Sequence, residues 1–155
     1  MKNRKIFIGA DHAGYNLKEE LKKYLSYLDF AVEDMGSYRF KAQDDYPDFM
    51  FRVAEAISKN PKEYRGIVIG GSGQGEAMAT NKVKGIRTAV VYDQYSAKMS
   101  REHNDANIMA LGAKTMDFKK AKNLVKIWLQ TPFSQEKRHQ RRLRKIAKME
   151  NKLFK

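Results

Sequence analysis

Two periods alternate along the chain. Short apolar runs rich in β-branched residues, KIFIGA (5–10), GIVIG (66–70), RTAVVY (87–92) and NIMALG (107–112), have the length of buried strands, and AVEDMG (31–36) is a weaker strand pattern. Between them the spacing becomes helical. YNLKEELKKYLSYLDF (15–30) puts Leu17, Leu21, Tyr24, Leu25 and Leu28 on one face. FMFRVAEAISKN (49–60) reads as a helix that stops before Pro61, and GEAMATNKV (75–83), DQYSAKMSREHN (93–104), DFKKAKNLVKIWLQ (117–130) and SQEKRHQRRLRKIAKMENKLF (134–154) as four more. SYRFKAQDDYPD (37–48) reads as a loop.

Strands alternating with helices predict βαβ units and a three-layer α/β fold on a five-stranded parallel sheet. Right-handed crossovers then bring every strand's C-terminal end to one edge, where such sheets bind ligands near the switch in strand order. Site residues are therefore expected just after strands. A chain of 155 residues suits a single domain spanning 1–155. The 134–154 helix comes after the sheet is complete, so it is expected to pack on a partner subunit.

Charge changes this picture little. The net charge is +13, but +8 of it lies in residues 137–155, so the excess belongs to one helix. A nucleic-acid module would interleave aromatics among the basic residues as stacking platforms. This segment offers Phe154 alone, beside an apolar stripe of Leu143, Ile146, Met149 and Leu153 that suits subunit packing. The chain has no cysteine, which excludes disulfides and thiolate zinc sites, and no apolar run long enough to span a membrane. The expectation is a cytoplasmic protein that binds neither nucleic acid nor membrane.

The residues with chemistry cluster where the fold predicts a site. Asp11, His12 and Gly14 follow the first strand, and Gly71, Ser72, Gly73, Gly75 and Glu76 follow the third. GGSGQG has neither dinucleotide-fingerprint nor P-loop spacing, yet it holds more glycine than one turn needs. Its backbone N–H groups suit a ligand oxygen. His103 and Asn104 end a helix, where both also serve as ordinary helix-terminating residues. Arg138 and Arg142, four apart, form two guanidinium forks on one helix face. His139, flanked by Arg and Gln, is expected to be solvated.

In order and spacing, GADHAG, DYPD, GGSGQGEAMATNK, GIRTAVVYD, SREHNDAN and RHQRR resemble the type B ribose-5-phosphate isomerases, a family that includes galactose-6-phosphate and allose-6-phosphate isomerases. The resemblance runs from Lys5 to about Ala147. It implies a Rossmann-like sheet, a homodimer or dimer of dimers with interfacial active sites, no metal, no organic cofactor, and aldose–ketose isomerisation of a phosphosugar through an enediolate. By position, Asp11 and His103 resemble the ring-opening pair. His12, Arg138 and Arg142 resemble the phosphate-binding set, the amides of 71–75 the enediolate-stabilising loop, and Asn104 a sugar-hydroxyl ligand. Tyr46 matches a motif near the pocket.

Two positions depart from parts of the family. Some members carry a cysteine base at the position of Gly70. This chain resembles the branch in which a glutamate at the position of Glu76 takes that role. Lys114 stands where relatives carry an arginine, keeping charge but losing the bidentate fork. The leading expectation is interconversion of ribose 5-phosphate and ribulose 5-phosphate. The alternatives are a six-carbon phosphosugar isomerase, a sugar-phosphate sensor without turnover and, more remotely, a nucleic-acid-binding module.

Overall fold

The computed structural model describes residues 4–154; residues 1–3 and 155, the ends of the expected 1–155 domain, lie outside the described residues. The elements follow in order β1 (Lys5–Ala10), α1 (Tyr15–Tyr27), β2 (Ala31–Asp34), α2 (Tyr46–Ser58), β3 (Arg65–Gly70), α3 (Gln74–Thr80), β4 (Thr88–Val90), α4 (Gln94–Glu102), β5 (Ile108–Gly112), α5 (Phe118–Gln130) and α6 (Lys137–Leu153). All five strands pair in parallel, in the order β2-β1-β3-β5-β4. The order in which strands are added therefore reverses between β1 and β3, and the chain segments that follow these two strands meet there.

The expected three layers are present. On one face, α1, α4 and α5 cover the sheet through Leu17, Leu21, Leu25, Ala97, Leu124, Val125 and Trp128; on the other, α2 and α3 do so through Met50, Val53, Ile57 and Ala77. The central strands β3 and β5 are buried along their whole length, as continuous apolar runs predict.

Several element boundaries move: α3 ends at Thr80 rather than Val83, α4 spans Gln94–Glu102 rather than 93–104, and β2 ends at Asp34 rather than Gly36. The second helix begins at Tyr46, three residues earlier than expected, with Pro47 in its first turn, where a missing N–H costs nothing. The fourth strand shrinks to three half-buried residues because it is the sheet edge. The first helix ends at Tyr27; Leu28 caps it and is 37% exposed, so it leaves the predicted apolar face. The last helix starts at Lys137 rather than Ser134. Among the described residues, no helix is long and apolar enough to cross a membrane.

One buried charge organises the upper rim. Lys18 on α1 is fully buried, and its ammonium donates to both oxygens of Asp34 (2.8 and 2.7 Å) and to the Ser37 carbonyl (2.7 Å). Lys22 donates to the same carboxylate, and Asp34 Oδ1 accepts the Gly36 N–H at 2.9 Å. A buried ammonium is tolerated only when paired and hydrogen-bonded. This network fastens the chain leaving β2, which also exchanges backbone hydrogen bonds with Ala10. That segment goes on to carry Asp44 and Tyr46 over the C-terminal edge of the sheet.

Candidate active site

At the C-terminal edge, the loop after β1 packs directly on the end of β3. A Cβ added to Gly14 would sit 2.3 Å from the Ile69 carbonyl oxygen, so only glycine permits this approach. Asp11, 6% exposed, accepts the Gly14 N–H on Oδ1 at 3.1 Å, and this holds its carboxylate at the mouth of the β1 loop.

The glycine stretch turns through Gly73, whose φ of 81° is left-handed and which caps α3. The turn aims α3 so that Glu76, 3% exposed, folds back over the end of β3. Its carboxylate occupies the volume a side chain at residue 70 would take: a Cβ on Gly70 would lie 1.8 Å from Oε1 and 2.2 Å from Cδ. A side chain at 70 and a carboxylate from 76 therefore compete for one place, which explains physically why glycine stands at 70 here. Burial pushes the Glu76 carboxyl up from the usual range, and the negative charge of Asp11 adds to this; the Glu76 and Gly73 backbone N–H groups pull the other way. The product is a shielded carboxyl with enhanced basicity beside a row of amides.

Tyr46, the first residue of α2, lays its ring on this loop; a Cβ at Gly75 would be 2.7 Å from its Cζ. Lys114, in the loop after β5, donates its N–H to the Gly71 carbonyl at 3.0 Å, and its side chain runs alongside that glycine.

His12 is held by a residue the sequence reading passed over. Asp44 Oδ1 accepts the His12 backbone N–H (2.9 Å) and its ring Nδ1–H (2.8 Å). The hydrogen bond to Asp44 raises the pKa of His12, with Asp11 and Asp44 adding attraction and Lys114 opposing it. Asp44 thus fixes the ring with Nε2 directed away and favours the imidazolium. Asp11, His12 and Asp44 also place ligand-type atoms within 4.8 Å of one another, the one grouping with metal-ligand spacing among the described residues. An imidazole with Nδ1 engaged and its charged form favoured suits an anion better than a metal ion. The signal for Asp44 was present in QDDYPD, but nothing local marks which of those acids turns inward.

The remaining expected site residues lie elsewhere. His103 is the C-cap of α4 and Asn104 follows it, at the N-terminal edge where β5 begins. Arg138 and Arg142 stand in the first half of α6, on the same side. Five residues of β5 separate the two edges, about 16 Å of strand. The expectation that all site residues follow strands therefore fails for this second group. His139, expected to be solvated, is instead 1% exposed, and its ring lies 4.2 Å from that of His103. Arg138 Nε donates to Glu136 Oε2 at 2.7 Å, leaving the rest of its fork open.

Beside this group, α6 and the β4 edge leave an open apolar groove lined by Ile86, Ala89, Leu143, Ile146, Met149 and Leu153. Glu150 anchors one end of α6 by accepting the Gly85 N–H at 2.8 Å.

Comparison with known proteins places this arrangement. Residues 6–146 match the family model described as Ribose/Galactose Isomerase. Ribose-5-phosphate isomerase B from Mycobacterium tuberculosis is 38% identical over 150 residues, covering 97% of this chain and 92% of that protein. The structure of ribose-5-phosphate isomerase B from Clostridium thermocellum superimposes with a TM-score of 0.90 at 47% identity, covering 96% of this chain and 99% of the other. That of the Mycoplasma genitalium enzyme with bound ribulose-5-phosphate gives 0.93 at 39% identity, covering 97% and 98%. The likeness extends across the sheet and both edges that carry reactive side chains, and the chain belongs to the ribose/galactose isomerase family.

Proposed function

We propose that the chain interconverts ribose 5-phosphate and ribulose 5-phosphate through an enediolate, at sites shared between two copies of itself. The observation that carries this reading is the buried Glu76 carboxylate beside the glycine loop at one sheet edge, with His103, Asn104, Arg138 and Arg142 gathered at the opposite edge. Neither group is a complete isomerase site, and they are too far apart to meet within one chain. A second copy related by a two-fold axis brings one chain's upper edge to the other's lower edge, twice over. The open groove along α6 and β4 gives that copy an apolar surface to cover.

In the assembled site each group has one task. His12, Arg138 and Arg142 grip the phosphate, and Lys114 adds positive charge beside His12. His103, assisted by Asp11, takes the proton of the anomeric hydroxyl and returns one to the ring oxygen, which opens the furanose. Glu76 then removes the C2 proton and delivers it to C1, while the proton of the C2 hydroxyl passes to O1, so that the aldehyde becomes a hydroxyl and C2 the ketone. The N–H groups of Gly71, Ser72, Gly73 and Gly75 stabilise the enediolate oxygen; Asn104 holds a hydroxyl and Tyr46 walls the pocket. A general base works best when its pKa approaches the operating pH, and the burial of Glu76 moves it in that direction.

Mixing two dead variants tests both the roles and the sharing. Glu76→Gln and His103→Asn, each inactive alone on ribose 5-phosphate, are unfolded together and refolded. Random pairing makes half the dimers mixed, and each of these carries one intact site, so about a quarter of wild-type activity returns. Recovery of none would mean that both residues serve one site within a single chain, and the shared-site reading would be abandoned.

A further inference from the structure

His139 is the one buried side chain of α6, and its surroundings are not those of a space-filling residue. Its ring faces that of His103 at 4.2 Å between centroids, tilted by 38°. Nδ1 lies 2.8 Å from Ser134 Oγ. Ser134 is itself fixed: its N–H donates to the Glu102 carbonyl at 3.0 Å, and its hydroxyl accepts the Glu136 N–H at 3.3 Å. Ser134 thereby links the two, its hydroxyl holding the His139 ring and its backbone N–H holding the residue immediately before His103. Nε2 is buried and has no partner among the described residues. A leucine or phenylalanine would fill this space without leaving a polar atom unpaired. Something other than packing accounts for an imidazole here.

The charges around the ring are consistent with a supporting role. His103 faces it from the end of α4, Arg138 and Arg142 flank it on α6, and Glu136 stands before the helix. Burial lowers the pKa of His139, His103, Arg138 and Arg142 lower it further, and Glu136 opposes them. An uncharged ring can lie against His103 in either protonation state without repulsion, and its π-face favours the charged one.

We propose that His139 is a positioning residue for His103: a buried imidazole shelf, pinned by Ser134, that fixes the plane of the His103 ring for proton transfer to the sugar's ring oxygen. The inference rests on the ring-opening role proposed for His103. It concerns only the cyclic substrate, because a 2-ketopentose 5-phosphate has no free hydroxyl with which to close a furanose. Exchange of the C1 hydrogen of ribulose 5-phosphate with solvent needs enediolate formation alone, whereas turnover of ribose 5-phosphate needs ring opening as well.

The test compares these two readouts in His139→Gln and His139→Phe, with His103→Asn alongside. Misorienting a proton-transfer group costs on the order of 10-fold or more, so His139→Gln lowers kcat from ribose 5-phosphate by at least that factor. Deuterium wash-in at C1 of ribulose 5-phosphate stays within about twofold of wild type, since the exchanging groups are untouched. His139→Phe keeps a flat ring against His103 but cannot be pinned by Ser134, so it recovers only part of the loss. An equal fall in both readouts, or wild-type kcat in His139→Gln, overturns the proposal. If His103→Asn itself impairs both readouts alike, the ring-opening reading of His103 fails and the inference fails with it; a selective loss in His103→Asn without one in His139→Gln rejects the inference alone. Ser134→Ala, which deletes a single oxygen, decides the matter should the His139 variants not fold: a smaller loss with the same selectivity supports the shelf, and a loss without selectivity rejects it.

Discussion

Replacing Gly70 with alanine adds one methyl group where the geometry leaves no room for it. The new Cβ would begin 1.8 Å from Glu76 Oε1, and contacts under 3.0 Å essentially never occur, so the carboxylate has to retreat by about 1.2 Å. The strand end cannot retreat instead, because the Gly70 carbonyl accepts the Ala113 N–H at 2.8 Å and β3 is buried throughout. A catalytic group misplaced by about 1 Å costs on the order of 10²-fold in rate. Gly70→Ala is therefore expected to lower kcat on ribose 5-phosphate by about 10²-fold with little change in KM, because the nearest atoms the methyl meets all belong to Glu76 and not to the groups proposed to hold the phosphate. Pushing the carboxylate toward water also relieves the burial that raises its pKa, so the acid limb of the kcat–pH profile moves to lower pH. The decisive assay is a double-mutant cycle. If the methyl acts only by displacing Glu76, then Gly70→Ala in a Glu76→Gln background costs almost nothing further. Additive losses, or a Gly70→Ala enzyme of wild-type kcat, would refute the reasoning and place the base elsewhere.

Two further predictions follow from the shifted groups. The folded-state pKa of Glu76 is raised, so the folded protein binds its proton more readily than the unfolded chain, and stability falls as pH rises from the ordinary carboxyl range through the folded pKa. Glu76→Gln should accordingly raise Tm at pH 7–8 and lose that advantage near pH 4, as read by thermal melts; a lower Tm at neutral pH would contradict it. For His12 the shift is also upward, through Asp44, so the imidazolium persists to higher pH in the wild type. In Asp44→Asn the rise of KM with pH should begin at lower pH, with kcat nearly unchanged, and an unmoved KM profile would remove Asp44 from substrate binding.

The fold was legible wherever one element decides its own fate. β1, β3 and β5 are buried on both faces and show it as unbroken apolar runs. The boundary errors fall where a neighbour decides: β4 stops early because it is an edge, and α2 starts early because Pro47 can open a helix as readily as it can shape a loop. The same division holds at the site. The glycine loop with Glu76 is contiguous and readable. His139 reads as solvated because its own helix is polar around it, while its burial comes from His103, 36 positions earlier, and from Ser134. Lys18 looks like any helical lysine until Asp34, on another element, is brought to it. Asp44 gave no periodic signal because loops have none.

The placement of reactive side chains at opposite edges of one sheet has a kinetic consequence once two copies are needed to close a site. Below the dissociation constant of the pair, the number of working sites grows with the square of chain concentration, so tenfold dilution leaves about one hundredth of the rate rather than one tenth. Substrate bridging both edges binds only the associated form and pulls association forward, so the same enzyme would appear more tightly assembled when phosphosugar is plentiful. With the sites shared as proposed, such an isomerase would be nearly silent when scarce and fully active only above a threshold set by how tightly the two copies associate.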